Sequence, residues 1–538
     1  MTRKILFIVA LALAVPAVPS RAEEPVDLAM MTRIRNEGLH HSEVMATLFH
    51  LTDVIGPRLT GSPQLKEAND WTRQRFTDWG LANAHLEGYP FGRGWSFSAC
   101  QVRMTAPRLS LLLALPKAWS PGTEGPVRGE AIRVKIEAEK DLEAYRGKVS
   151  GKVLLLDTPT EFKEPEDPAF ERFSGEKLEK LGEFDVPQER PDRRRLGLER
   201  WRLRKAINEF MEQEKPLATV EASGRLNGIV RVSGGGSWRP GESVGVPAVV
   251  MAAEHYNTLI RLIEDGRPVE LEIDVAAQFL DGDTQAYDTV AEIPGTDKKD
   301  EIVMAGAHLD SWHAGTGATD NAAGSAVVME AARILKALGV KPRRTIRFAL
   351  WTGEEQGLYG SISYVKQHFA SRPESQDPKQ KALPEFYREE TWPLQLKPEH
   401  AKLAAYFNLD NGTGKIRGIY AEENAAVAPI FEAWLAPFHD LGAGTVTLRT
   451  TSGTDHVPFD RVGLPGFQFI QDGMDYETRT HHTNLDTYDH LRRDDLMQAS
   501  VIMAAFLYDA AVRSEPLPRK PLPQEPVKKE KKEEAKAP

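Results

Sequence analysis

Cysteine is almost absent from this chain, since Cys100 is the only one among 538 residues. No intramolecular disulfide can form, and an exported protein without disulfides is compatible with a bacterial periplasm or with secretion. A catalytic role for Cys100 is open in principle, but its apolar neighbours favour a buried structural thiol. An excess of positive charge is also lacking, because the formal net charge is -10. No nucleic-acid partner is therefore expected.

Long apolar runs are lacking except near the N-terminus, so no membrane span is expected in the mature chain. Arg3 and Lys4 precede an apolar run at 5–15, and small residues follow at 20–22. This pattern predicts a signal peptide over residues 1–22. A membrane anchor is the alternative, but the run is too short to span a bilayer comfortably. We therefore expect export to a bacterial periplasm or secretion.

Strand and helix patterns alternate along the C-terminal half of the chain. Buried-strand patterns and amphipathic helix patterns recur there, with strands at 301–307, 345–351, 403–409, 445–448 and 466–470 and helices at 321–338 and 497–512. Alternation of this kind predicts an α/β fold in which helices cover both faces of a mixed, mostly parallel sheet.

The chain is long for one domain, and the pattern of predicted strands and helices changes along it, which indicates more than one domain. We predict a main domain at 23–120 and 277–515, interrupted by a β-rich insert at 121–276. Within the insert, the charged stretch 164–214 indicates a surface helix; a basic membrane helix is the alternative, but Glu residues are mixed with the Arg residues. Residues 371–400 read as a surface insertion. The Pro-, Lys- and Glu-rich tail at 516–538 is predicted to be disordered.

Several metal-type side chains follow the predicted strands. Glu354 and Glu355 come after the strand at 345–351, where one carboxylate can bind a metal while the other moves protons. An exposed Glu-Glu pair is more often a solvated turn. His308 and Asp310 lie on one side of extended backbone, so Asp310 can accept a hydrogen bond from the imidazole. Ligands gather at the carboxyl ends of strands in such sheets.

Three further segments have both an ordinary and a functional interpretation. Asp320 opens the helix at 321–338 and is either an N-cap or a carboxylate that bridges two cations. Asp410 is either a turn residue or a ligand. The polar run at 481–487 is either a loop or a source of imidazole ligands. The joint occurrence of these residues with His308 and the Glu pair favours a shared metal site.

The ordered set HxD, DNAAG, GEE, NLD, SGTDHVPF and HHTNLDT closely resembles the co-catalytic di-zinc aminopeptidase family. Within that family it is most similar to the carboxypeptidase Q-like (plasma glutamate carboxypeptidase-like) branch, which carries a protease-associated insert. The segment GPRLTGS at 56–62 fits the same branch. The resemblance covers most of the mature chain and is strongest from 286 to 490.

The resemblance implies a zinc exopeptidase fold, a protease-associated insert at 121–276 and two Zn²⁺ per subunit. One zinc would be held by His308, Asp320 and Asp410, and the other by Asp320, Glu355 and His482. His482 is preferred over His481 by the family spacing. Glu354 would be the general base, Asp310 the partner of His308, and the Asp320–Asn321 peptide would be cis. Asp455 and His456 are candidates for shaping the substrate pocket, with a cap of the following turn as the alternative for Asp455. Tyr476 is a candidate for steadying the oxyanion.

The implied activity is that of an exported aminopeptidase or dipeptidase acting on peptides or dipeptides. A hydroxide bridging two zinc ions would attack the scissile bond, with Glu354 as the base. The alternatives are a single-zinc transferase of the glutaminyl cyclase type and a non-catalytic binding protein resembling the transferrin receptor. The preferred side chain, the chain end attacked, the role of the insert and the oligomeric state, including a homodimer, stay open.

Overall fold

The computed structural model describes residues 24–164, 168–184, 186 and 193–526. The predicted signal peptide at 1–22 lies outside these residues, as does the part of the predicted tail from 527 to 538.

The strands are, in chain order, β1 (Ala82–Pro90), β2 (Gly94–Ala106), β3 (Ser110–Leu112), β4 (Ala114–Pro116), β5 (Val127–Arg133), β6 (Val153–Leu155), β7 (Ala218–Ala222), β8 (Ala248–Met251), β9 (Glu270–Leu280), β10 (Gln285–Ile293), β11 (Lys298–His308), β12 (Arg344–Trp351), β13 (Ala370–Ser371), β14 (Gln395–Leu396), β15 (Leu403–Asn408), β16 (Ile416–Tyr420), β17 (Thr445–Thr447) and β18 (Gly466–Gln471). The α-helices are α1 (Leu28–His40), α2 (Val44–Phe49), α3 (Pro63–Asp78), α4 (Gly175–Gly182), α5 (Arg193–Glu214), α6 (Ala253–Glu264), α7 (Ala323–Ala337), α8 (Tyr359–His368), α9 (Pro378–Lys381), α10 (Ala428–Leu435), α11 (Val457–Asp460) and α12 (Arg493–Val512).

The first of two eight-stranded sheets is covered by helices and has the order β1-β10-β12-β11-β15-β18-β16-β17. Its centre is parallel, because β12, β11, β15 and β18 pair side by side in the same direction. Antiparallel pairs flank this centre on both sides. The predicted mixed α/β fold is therefore confirmed. The parallel centre brings the carboxyl ends of four strands to one edge, where ligands collect in such sheets.

Helices bury both faces of the parallel centre. On one face α7 and α12 pack in a large apolar cluster together with α1 and α2. On the other face α8 and α11 contribute to a second cluster that contains Trp351, Tyr406 and Phe459. The rings of Tyr406 and Phe459 stack at 4.1 Å. A strand buried on both faces needs a nearly continuous apolar run, and β15 has every residue buried.

Helix α12 is long and apolar enough, by length and composition, to cross a membrane, which was not expected from the sequence. However, 89% of its apolar window is buried inside the protein. It packs against α7 and α1 in the main core. Its hydrophobicity is therefore explained by its central position in the fold.

A second sheet has the order β3-β2-β9-β5-β6-β7-β8-β4. It begins at Gly94, earlier than the predicted insert boundary at 121, because β2 pairs with β9 along its length. Its core is separate from those of the first sheet. The assignment of this unit as a protease-associated insert stays a prediction. Cys100 lies half-buried on β2, and burial raises the pKa of its thiol to about 12, so it remains protonated.

The described part of the predicted disordered tail packs on the main domain. Leu517 is 2% exposed, and Arg519 donates to the backbone oxygens of His400 and Leu403. Asn424 donates to Pro518 O. The composition of the tail did not predict that residues 516–526 pack on the main domain. One apolar residue and one arginine are enough to attach a Pro-rich segment.

Candidate metal centre

The predicted metal-type residues lie at the carboxyl edge of the parallel centre. His308 ends β11, Glu354 and Glu355 follow the end of β12, and Asp410 follows the end of β15. Because β11 is hydrogen-bonded to both β12 and β15 in parallel, these ends are adjacent. Asp320 lies in the turn that leads into α7, and its peptide bond to the next residue is cis.

One half of the centre is built around His308. Its Nε2 atom lies 3.3 Å from Asp320 Oδ1 and 3.3 Å from Asp410 Oδ1. The ligand-type atoms of these three residues all lie within 4.8 Å of one another. His308 is buried, with 1% of its surface exposed. An imidazole with two carboxylates is a donor set that suits zinc.

The other half uses the second oxygen of the same aspartate. His482 Nε2 lies 3.3 Å from Asp320 Oδ2 and 3.0 Å from Glu355 Oε2. Burial lowers the pKa of His482 to about 4, so its imidazole is neutral, as a metal ligand must be. His481 is farther away, with its Nε2 atom 4.0 Å from Asp320 Oδ2.

The charges and the unpaired atoms of the centre fit divalent cations. Asp320 Oδ2 and Glu355 Oε1 are buried and have no hydrogen-bond donor among the described residues. Burial raises the pKa of Glu354 and Glu355 well above the usual value for a glutamate. Burial alone would lower the pKa of His308, but the surrounding carboxylates outweigh it and raise that pKa. The acidic groups thus require positive charge, which bound metal would provide.

Asp310 orders both the histidine and the Glu pair. The His308 Nδ1 atom donates to the backbone oxygen of Asp310 at 3.0 Å and lies 3.5 Å from its carboxylate. The imidazole therefore faces both the backbone oxygen and the carboxylate of Asp310, and the role of that carboxylate as its partner stays a prediction. The carboxylate accepts from Thr60 Oγ1 at 2.9 Å and from the backbone nitrogens of Glu354 and Glu355 at 3.4 Å.

Two supporting residues were missed in the sequence, although both lie in quoted motifs. Asp486 accepts from the backbone nitrogens of Thr319 (2.6 Å) and Asp320 (3.2 Å), and burial raises its pKa to about 7. Arg58 is fully buried, and its guanidinium donates to Leu309 O and Gly317 O, each at 2.8 Å. The two residues fix the backbone on either side of the ligands. No spacing rule shows such side chain–backbone contacts.

The three predicted pocket residues differ in their placement. Asp455 is buried, accepts from Ser361 Oγ at 2.5 Å, and has its pKa raised to about 7 by burial. His456 Nε2 lies 3.5 Å from Glu422, so its side chain has a carboxylate partner of its own. Tyr476 stacks on His481 with ring centroids 4.8 Å apart. Burial and the nearby carboxylates raise the pKa of Tyr476, which places its hydroxyl among the acidic groups.

The loop that carries His482, residues 472–487, is called the ligand loop below. Two segments from the second-sheet unit are hydrogen-bonded to it. Val232 N donates to His482 O at 3.0 Å, while Asn484 accepts from Val230 N at 2.7 Å and donates back to Val230 O at 3.1 Å. At its other end, the backbones of Glu171 and Met474 exchange two hydrogen bonds. The second-sheet unit therefore holds a ligand-bearing loop of the main domain.

Known peptidases are similar to this chain in sequence. Residues 288–507 match the family described as Peptidase family M28. The chain is 25% identical to carboxypeptidase Q of Mus musculus over 469 residues, which are 87% of this chain and 85% of that relative. It is 27% identical to aminopeptidase YwaD of Bacillus subtilis over 284 residues, 52% of this chain and 54% of the relative.

Solved structures share the fold. A Peptidase M28 precursor from Shewanella amazonensis has a TM-score of 0.65 at 24% identity, covering 92% of this chain and 99% of its own. A zinc aminopeptidase from Bacillus subtilis, BSAP, has a TM-score of 0.55 at 18% identity and covers 88% and 95%. The predicted family resemblance and the predicted hydrolase class are confirmed by these matches. The chain is thus a metallopeptidase hydrolase whose residues 288–507 match the model of peptidase family M28.

Proposed function

We propose that this chain is a di-zinc exopeptidase that hydrolyses peptide bonds near chain ends. The observation that carries the proposal is the position of Asp320, whose two oxygens each lie 3.3 Å from a different imidazole. His308, Asp320 and Asp410 would hold one ion, and Asp320, Glu355 and His482 the other. Bound zinc supplies a Lewis acid that polarises the scissile carbonyl and lowers the pKa of water.

Glu354 is the proposed general base. Its Oε2 atom is 4.0 Å from His308 Nε2, so it borders the centre, but it belongs to neither proposed ligand set. Burial raises its pKa, which brings the carboxyl closer to the neutral range where a base both accepts and returns a proton efficiently. Glu354 would take a proton from the attacking water and deliver it to the leaving amine.

Peptides and dipeptides are the proposed substrates. The relatives are named for attack at opposite chain ends, carboxypeptidase Q and aminopeptidase YwaD, so their names do not assign one end to this chain. We further propose that the protein is exported, on the basis of the charged and apolar pattern at residues 3–22.

Replacing Glu354 by Gln tests the proposal. Glu354→Gln should keep about the zinc content of the unmodified protein and lower kcat at least about a hundredfold, because the amide cannot accept the proton. Zinc is measured by elemental analysis and turnover with dipeptides. Glu389→Gln, an exposed carboxylate on the surface insertion, is the matched control and should leave both unchanged. Near-normal turnover of Glu354→Gln would remove Glu354 from the role of base.

Zinc content and turnover of the unmodified protein also separate the peptidase from the two alternative functions. Two zinc ions per chain with chelator-sensitive hydrolysis of dipeptides support the di-zinc peptidase. One zinc per chain together with cyclisation of N-terminal glutamine would support the glutaminyl cyclase-type transferase. Absence of zinc binding and of turnover would support a binding protein. The second half-site around His482 and Glu355 favours the first outcome.

A further inference from the structure

A cavity of about 410 Å³ adjoins the metal centre on the side of Glu355. Its walls come from helix α5, from the loop at 233–243 of the second-sheet unit, and from residues 355–357 and 384–387 of the main domain. Glu355 lines it directly. Trp312, another lining residue, has its ring 5.9 Å from the ring of His482. A group bound here would therefore lie next to the second half of the centre.

The cavity is lined by more cations than anions. Arg200, Arg204, Lys205 and Arg239 face only Glu242 and the proposed ligand Glu355. Glu242 is already hydrogen-bonded, since it accepts from Ser237 Oγ at 2.7 Å and from the guanidinium of Arg239.

The two arginines of α5 that line the cavity, Arg200 and Arg204, retain unused hydrogen-bonding capacity. Arg204 donates to Gly234 O at 3.0 Å through one of its five N–H groups. Among the described residues, Arg200 has no hydrogen-bond or ion-pair partner, and it is exposed. Two guanidinium groups on successive turns of one helix are therefore free to bind an anion.

The cavity also contains polar atoms that lack partners. Trp238 Nε1, Trp312 Nε1 and Gln356 Nε2 belong to lining residues, are buried, and have no hydrogen-bond partner among the described residues. An indole N–H can only donate. A buried donor without an acceptor is costly, so these N–H groups favour an acceptor bound in the cavity, where Gln356 Oε1 is also unpaired among the described residues.

We propose that this cavity binds a carboxylate of the substrate, with Arg200 and Arg204 as specificity-determining residues. The inference rests on the proposed function, because the carboxylate must belong to a peptide whose scissile bond lies at the metal centre. Arginine binds carboxylates through paired N–H donors, and the indole N–H groups supply neutral donors beside them. Two groups of a peptide substrate carry such a carboxylate, namely the free C-terminus of a dipeptide and the side chain of Asp or Glu.

The test compares substrates that differ only in the carboxylate. Leu-Ala and Leu-Ala-amide differ at the C-terminus, and Leu-Glu-amide and Leu-Gln-amide differ at the side chain. Arg200→Gln and Arg204→Gln should each raise KM about tenfold for the carboxylate member of one pair, the effect of losing one charge-assisted hydrogen bond. The neutral member should change less than about twofold. Arg202→Gln, on the same helix but outside this cavity, is the matched control.

Binding without turnover provides a second readout. Calorimetry with the zinc-loaded Glu354→Gln protein should show about tenfold tighter binding of the carboxylate member, and adding Arg204→Gln should abolish that difference. Equal effects of the arginine changes on both members of each pair, or no effect, would overturn the carboxylate assignment. Failure of the unmodified zinc protein to hydrolyse any of the four substrates would instead overturn the proposed function.

Discussion

Asp320 lies between the two halves of the candidate metal centre, because each of its oxygens faces a different histidine. Its own position depends on Asp486, which accepts hydrogen bonds from the backbone nitrogens of Asp320 and Thr319. Burial would raise the pKa of Asp320, but its hydrogen bond to His308 and the charges of the nearby histidines outweigh burial and lower it. Asp320 is therefore ionised and available to cations.

Replacing Asp320 by Asn should weaken the binding of both ions. We expect the affinity for zinc to fall more than about tenfold, since even the loss of a ligand's hydrogen-bond partner costs roughly that much. Zinc titration with a chelator competitor measures the effect. Asp489→Asn, an exposed carboxylate close to the ligand loop, should bind zinc normally. Full two-zinc loading of Asp320→Asn at the original affinity would contradict the bridging role.

The sequence predicts the location of a metal-type residue best where that residue directly follows a recognisable strand. His308, Glu354, Glu355 and Asp410 follow recognisable buried strands, so their convergence at one edge was predictable. Arg58 was not, because it acts by donating to backbone oxygens, and such contacts leave no pattern of residue types.

Among the elements, the ligand loop depends most on its neighbours. It contains little regular structure beyond a short π-helical turn at Tyr476–Thr480. Hydrogen bonds from Val230, Val232 and Glu171 hold it at two points. His482 itself has a φ angle of 64°, which side chains other than glycine rarely adopt. Contacts from the second-sheet unit therefore help to keep this imidazole facing Asp320.

Replacing Asn484 by Ala removes the side-chain acceptor for Val230 N. We expect weaker binding of zinc at the His482 half of the centre and a loss of about 1 kcal/mol in the free energy of unfolding. Asn484→Asp retains an oxygen at the same place and should restore most of both quantities. Zinc titration and thermal unfolding provide the measurements. Identical zinc affinity in the Ala variant and the unmodified protein would show that this contact does not position His482.

The boundary between the two sheets illustrates what alternating apolar and polar residues can and cannot predict. β1 and β2 are consecutive in sequence and only a few residues apart, yet β1 pairs with β10 and β2 pairs with β9. An alternating pattern identifies a strand and its buried face, but it does not identify the partner strand. For this reason the predicted insert began at 121, although the second sheet begins at Gly94.

At the scale of the whole molecule, His313 joins the main domain to the second sheet. It is buried between the rings of Trp95 and Phe97, at 5.2 and 5.5 Å. Its Nε2 atom lies 2.7 Å from Pro116 O, to which it donates. Burial lowers the pKa of His313 to about 4, so the folded protein holds this imidazole neutral.

This contact should make stability depend on pH. Because the pKa of His313 is lowered in the folded state, its contribution is fully present above pH 6.5 and is lost as pH falls towards 4. His313→Gln keeps a donor for Pro116 O and should lose less stability over that range, by about 3 kcal/mol. Chemical unfolding at pH 7 and pH 4 measures the difference. His40→Gln, an exposed histidine on α1, should follow the unmodified protein; parallel behaviour of His313→Gln would contradict the assignment.

The ligand loop receives its support from Val230, far upstream in the chain, and Thr60 near the N-terminus braces the Glu pair through Asp310. The centre is thus contributed by both ends of the polypeptide. A chain that ends before residue 482 lacks His482, and a chain that has lost its first 60 residues lacks the hydrogen bond from Thr60 to Asp310. Copies truncated at either end should therefore hydrolyse peptides more slowly than the full chain.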